Sequence, residues 1–260
     1  LCGAGVLYKT SIEVSRLPEG YTLAGGRGPH PKPKGYLTFG SSGLLYRSNK
    51  LMYDRNTDTL WHHIWGTPAF GTLVGSGIKL KILPLVLTTW EAWYAEHSDT
   101  KVMDFNTGFA RDYSAGAAYN EYFKSPDTMF PVWRRKDLLP TKSWIFTQLI
   151  GGRPKAYPLS VLKEELVVND TLAGQNLVVI YDSGGHGARA FERGKHTFTS
   201  AAGDATGVIL DESGRKWKVT EDALIGPNAG KLARLPGHMA FWFGWFSFYP
   251  KTEVYGVKAN

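Results

Sequence analysis

With 260 residues, 43% hydrophobic and 20% charged, the chain is long enough to bury one large core or two small fused ones. A net charge of +7 favours acidic partners or anionic surfaces, but the basic residues form no Lys/Arg block, so no nucleic-acid partner is expected. A single cysteine excludes an internal disulfide framework and a CxxC zinc pattern, and no apolar run reaches the roughly 18 to 20 residues of a helical membrane span.

The chain opens LCGAGVLYKT, which alternates like a strand and carries Cys2. Residues 22–34 are rich in Gly, Pro and basic side chains and read as an exposed loop suited to an acidic partner. From Thr38-Phe39 a strand is predicted to reach an Asp-led turn, Asp54-Arg55-Asn56-Thr57, and then Trp61. Alternation along residues 46–54 groups Tyr46, Ser48, Lys50, Met52 and Asp54 on one face, with Arg47, Asn49 and Tyr53 on the other. Thr88-Thr89-Trp90-Glu91 has the spacing of a capping box and predicts a helix from about Thr89 to His97. Residues 104–142 read as a connecting segment that either wraps the body with its aromatics or lines a cleft with Tyr and Arg. Next come a strand, a Gly151-Gly152 turn, Ala156-Tyr157-Pro158, a short helix over Leu159–Glu165, and two further strands. A second Asp-led turn stands at Asp211-Glu212-Ser213-Gly214, and the aromatic run 238–249 is predicted as a buried helix stopped by Pro250.

The chain repeats itself. Thr38-Phe39 to Trp61 matches Thr197-Phe198 to Trp217, and Pro84, Trp90, Trp93 and Thr100 match Pro236, Trp242, Trp245 and Thr252 without a gap. Phe191 falls on Tyr8 and Gly185 on Cys2. The fold expected is therefore α+β and strand-dominated: two pseudo-symmetric repeats of antiparallel strands plus one aromatic helix each, packed as one body. The divisions are 1–103, incomplete at its N-terminal side, 104–142 as connection, and 143–260. Symmetry with the second unit predicts about 40 further residues before Leu1. The paired tryptophans are read as core.

The stretches YRSNKLMYDRNTDTLW, AYPLSVL with VVND, and FWFGWFSFYPKTEVYG resemble domain of unknown function 3179, a large prokaryotic family, over nearly the whole chain. In that family the first unit contains Tyr-Pro-Leu-x-x-Leu and Trp-His-Glu, followed by Val-Thr-Tyr-Cys-Pro-Leu-Cys-Gly. The resemblance implies that Leu1-Cys2-Gly3 is the tail of this segment and Cys2 the second of two nearby cysteines. The matching places of the second unit read Lys163-Glu164-Glu165 and Asp182-Ser183, which makes that unit a scaffold copy.

Residues present in one unit alone are where chemistry is sought. In the first unit these are Cys2, Arg47, Asn49, Met52, Tyr53, His62, His63 and His97. Cys2, Arg47, Asn49 and Tyr53 form the candidate catalytic set. Cys2, His62, His63 and Met52 form the candidate metal-ligand set, since thiolate, imidazole and thioether suit copper or another transition metal. Against this, a lone buried cysteine is ordinarily an inert small hydrophobe, and adjacent histidines on a strand face opposite ways. His30, His186, His196 and His238 are read as structural or exposed. No G-x-S-x-G, H-E-x-x-H, P-loop or dinucleotide fingerprint occurs. Two functions remain. One is an exported, extracytoplasmic protein (periplasmic or secreted) with a thiol–histidine site, metal-binding and redox-active. The other is a non-enzymatic binding or self-assembling protein that uses basic and aromatic surfaces.

Overall fold

A computed structural model describes residues 2–12, 36–114, 116–201 and 203–257. The basic stretch 22–34 lies outside the described residues. In chain order the elements are β1 (Leu7–Lys9), β2 (Phe39–Tyr46), β3 (Asn49–Asp54), β4 (Leu60–His62), β5 (Pro68–Phe70), β6 (Lys81–Leu83), α1 (Trp90–Glu96) and α2 (Asn120–Lys124). They continue with β7 (Trp144–Ile150), β8 (Arg153–Pro158), α3 (Leu159–Glu165), β9 (Val167–Leu172), β10 (Gln175–Asp182), β11 (Gly187–Glu192), β12 (Thr199–Ala201) and β13 (Asp204–Leu210). The chain closes with β14 (Lys216–Val219), β15 (Ala223–Ile225), β16 (Lys231–Leu235), β17 (His238–Phe241), α4 (Trp242–Phe246) and β18 (Glu253–Val254). Strands dominate, the helices are short, and no described helix is long and apolar enough to cross a membrane.

The largest sheet has eight strands in the order β12-β13-β14-β15-β16-β11-β10-β9, all antiparallel. A second sheet runs β17-β7-β8-β18, its last pair parallel, and a third is the meander β2-β3-β4-β5. β1 pairs with β6 alone. Val178 to Ile180 on β10 are buried on both faces, which is why that strand reads as a continuous apolar run rather than an alternation.

Three local readings need correction. Arg47 and Ser48 both have positive φ (47° and 61°), the backbone of a tight hairpin between β2 and β3, so alternation cannot run unbroken through residues 46–54. The cap of α1 is Thr89, whose Oγ1 accepts from the Ala92 amide at 3.2 Å, one residue after the start of the sequence spacing. Residues 238–241 are strand, with His238 paired to Thr147 and Phe241 to Trp144, leaving only Trp242–Phe246 helical. A run that is apolar in every position has no period to separate strand from helix.

Both Asp-led turns hold an indole. Asp54, fully buried, accepts from Trp61 Nε1 at 2.8 Å, and Asp211 accepts from Trp217 Nε1 at 3.0 Å. Trp93 and Trp245 each donate Nε1 to a threonine seven residues on, Thr100 and Thr252, at 2.9 Å in both cases. Trp61, Trp217, Trp242 and Trp245 are buried as expected, but Trp90 is 53% exposed. No described layer covers that face of α1, so the core reading fails for this residue.

Candidate functional site

A cavity of about 360 Å³ opens where the N-terminal strands meet the C-terminal sheet. Ile64, just after β4, and residues 79–82 leading into β6 supply one wall; Thr147 and Leu149 of β7, residues 236–238, Trp245 and Tyr249 supply the other. Leu80 and Ile82 alternate with Lys79 and Lys81 along this stretch: Leu80 is buried with Trp61 and Leu73, and the two lysines are exposed beside the opening. The turn between β16 and β17 requires Gly237, because a Cβ there would lie 2.3 Å from Gln148 Nε2 and 2.8 Å from the Thr147 carbonyl oxygen. Thr147 Oγ1 donates to the His238 carbonyl at 3.0 Å and anchors the start of β17.

His238 is 6% exposed, and its Nε2 is buried without a hydrogen-bond partner. Burial, and secondarily His63, lower its pKa to about 3, so the imidazole is neutral at neutral pH. His63 is in the same state: burial, then Lys50, bring it down to about 4, and its Nδ1 also lacks a partner. Tyr8 holds the His63 backbone by donating its hydroxyl to the carbonyls of His63 and Ile64 at 2.8 and 2.9 Å. Tyr249 is pushed up to about 12 by burial, partly offset by a hydrogen bond with Trp65.

The residues singled out from sequence fall into several surroundings. Cys2 is buried with Tyr122, Phe241 and Phe243, and its carbonyl accepts from the Phe241 amide at 3.0 Å. Cys2 and Asn49 meet across Gly244, whose Cβ, if present, would lie 3.2 Å from Cys2 Cβ and 3.4 Å from Asn49 Oδ1. Asn49 donates Nδ2 to the carbonyls of Gly244 and Arg47, at 2.8 and 3.1 Å, while its Oδ1 is unpartnered. Arg47 and His62 share an aromatic cluster. The guanidinium stacks on Tyr46 and Trp65 at 5.3 and 4.9 Å, and His62 packs among Tyr46, Trp65 and Phe248. Burial and the Arg47 charge lower the His62 pKa. Met52 packs near Trp61 and Leu37, and Tyr53 lies over Gly40 with Arg55 above its ring. His97 stacks on Trp93 at 4.0 Å.

Cys2 with Asn49, Arg47 with His62, and His63 with His238 are thus brought together, whereas Met52 and Tyr53 stand apart. Among the described residues no group of three or more His, Cys, Asp or Glu is arranged to hold a metal ion. The connecting segment departs from a wrap that buries its aromatics: Phe105, Phe109 and Trp133 are 75%, 70% and 64% exposed. Phe130 packs against Phe243, and Tyr122 is buried. Lys142 staples its stretch by donating Nζ to the carbonyls of Tyr122, Ser125 and Asp127 while lying 3.7 Å from the Tyr122 ring centre.

Sequence reasoning passed over His238, Lys79 and Lys81. A signal for His238 was present, since Val86 stands opposite it when the two similar stretches of sequence are laid side by side. The family described as "Protein of unknown function (DUF3179)" matches residues 1–252. No curated protein and no solved structure matches the chain significantly.

Proposed function

The chain belongs to that family of unknown function, and we propose that it is a non-enzymatic binding protein. On this reading it consists of two copies of one unit, the C-terminal copy closed on itself and the N-terminal copy presenting an apolar edge to an extended segment of a partner protein. Equal pairing registers support the duplication. Leu7 and Tyr8 face Leu83 and Ile82, and their matches Ala190 and Phe191 face Leu235 and Arg234. The matched Trp–Asp and Trp–Thr hydrogen bonds support it too.

The observation that carries the binding role is the difference between two matched segments. β17 pairs with β7, and all five residues of α4 are buried beneath that sheet. The matching residues 86–89 have no strand partner among the described residues, and α1 buries no residue. Trp90 and Tyr94, 53% and 47% exposed, stack on each other at 5.3 Å instead. Of the exposed large hydrophobic side chains among the described residues, all but Ile225 fall between Leu7 and Trp133. A concentration of this kind marks an interaction surface, and residues 86–89, packed on one side against Gly185 and Gly187 but without a strand partner among the described residues, suit strand addition on the other side.

The test is a labelled peptide spanning residues 143–158, the natural partner of β17, titrated against the intact chain by fluorescence anisotropy. Saturable binding is expected, weakened at least about tenfold by Trp90→Lys combined with Tyr94→Lys. Absence of binding up to about 100 µM peptide, a free energy near −5.5 kcal/mol, overturns the reading. A redox-active copper site on Cys2, His62, His63 and Met52 is the competing proposal. The absence of any grouping of three or more His, Cys, Asp or Glu among the described residues weighs against it, so incubation with copper followed by desalting is expected to leave no stoichiometric metal, with Cys2→Ser changing nothing. Retention of copper that Cys2→Ser abolishes would restore it.

A further inference from the structure

The cavity between the two halves is independent of the exposed face of α1, and its lining is mixed in a way that pure packing does not require. Leu80, Leu149 and Trp245 make it apolar, while Lys79 and Lys81 stand at it exposed and without an ion-pair partner among the described residues. His238, 6% exposed, lines the same space with a buried Nε2 that no protein group satisfies. A buried polar nitrogen is ordinarily paired, and the fold has left this one unpaired where a hydrophobic residue stands in the matching position, Val86. At about 360 Å³ the cavity lies within the range of small-molecule sites, which combine apolar walls with a few polar groups.

We propose that this cavity binds a small monocarboxylate with an apolar body. The carboxylate is held by Lys79 and Lys81, the hydrocarbon or aromatic part lies against Leu149 and Trp245, and His238 Nε2 supplies a hydrogen bond. A carboxylate fits better than a phosphate or a dianion. The two cations sit on flexible side chains beside apolar surface, with no helix N-terminus or arginine fork to clamp a multiply charged group. A wholly neutral ligand leaves the lysines without a role. Ligand entry needs no change of fold, since both lysines are already in solvent.

Trp245 provides the readout. Octanoate and phenylacetate are titrated into the full chain at pH 7 by tryptophan fluorescence and calorimetry, with octanol and 2-phenylethanol as neutral counterparts. Saturable binding of a carboxylate at least about tenfold tighter than its alcohol is expected. Lys79→Ala with Lys81→Ala, both at exposed positions and so harmless to folding, should remove that preference, and His238→Gln should weaken both classes. Equal affinity for acid and alcohol, or a preference unmoved by the double lysine variant, overturns the carboxylate assignment. No saturable binding by any of the four compounds up to about 3 mM, near −3.4 kcal/mol, overturns the site itself.

Discussion

Asp54 shows how much one carboxylate settles. Fully buried, it accepts from the Trp61 indole, the amides of Asn56 and Thr57 and the Thr57 hydroxyl, so the turn and the core below it share one anchor. Asp54→Ala strands these donors, and a loss of about 3 kcal/mol is expected in urea unfolding. Asp211 does the same for Trp217 and is held down to about 2, burial opposing the hydrogen bonds from Trp217, Arg215 and Ser213 that prevail. Because its folded pKa lies below the unfolded one, its contribution is complete above about pH 4 and fades as pH falls towards 2. The histidines set a different window. His63 and His238, neutral when folded and with pKa values depressed to about 4 and 3, resist a proton that the unfolded chain takes up near pH 6.5. Stability is thus complete above about pH 7 and declines as pH falls from 6.5 towards 4. The loss is on the order of 1–2 kcal/mol for His238 between pH 7 and 5. Thermal melts of the wild type and His238→Gln across this range should show a shallower slope for the variant, and identical slopes would remove His238 from the account.

Among the elements, what was legible from sequence is what has a local cause. The Asp-led turns, the cap region of α1, the Gly151-Gly152 hairpin and α3 at Leu159–Glu165 all follow from side chains acting within a few residues. β17 was not legible as a strand. Its pairing with β7 is settled by Thr147 and Trp144 more than 90 residues away, and its own residues carry no alternation. The cavity was hidden for the same reason, since residues 64, 79–82, 147–149 and 236–249 meet only in the folded chain. Of the candidate site, the association of Cys2 with Asn49 could not be read from spacing, because both converge on Gly244 of α4. The same convergence makes α4 sensitive. In Gly244→Ala the new methyl meets Cys2 Cβ at 3.2 Å and Cys2 O at 3.3 Å, and a loss of about 1–3 kcal/mol is expected from overpacking. A wild-type urea midpoint would show that Cys2 yields easily.

At the scale of the molecule the two halves are joined by contacts that alternate in direction. The start of the chain lies against the C-terminal sheet through Cys2 and Phe241, and residue 87 lies against β11, where a Cβ on Gly187 would come within 2.2 Å of the Leu87 carbonyl oxygen. Gly187→Ala must therefore part the halves or displace the backbone, and it should unfold the protein or cost about 3 kcal/mol or more. The eight-stranded sheet has its own charged centre. Arg189 pairs with Asp182 at 2.7 Å and with Glu221 at 2.5 Å, and Arg234, almost fully buried, pairs with Glu221 at 3.0 Å. Removing one member leaves the others uncompensated, so Arg234→Leu is expected to lose about 3–5 kcal/mol, largely independent of salt.

The bond from the Phe241 amide to the carbonyl of Cys2 spans 239 residues of sequence, and the Asn49 side chain reaches 195 residues ahead to Gly244. During synthesis the segments around Cys2 and Asn49 must wait for residues 241–244 before these contacts can exist. Closure of so long a loop comes late and slowly, and until then Cys2, Phe39 and their neighbours stay open to other chains. The contact that completes this arrangement is therefore also the one that leaves it vulnerable before it forms.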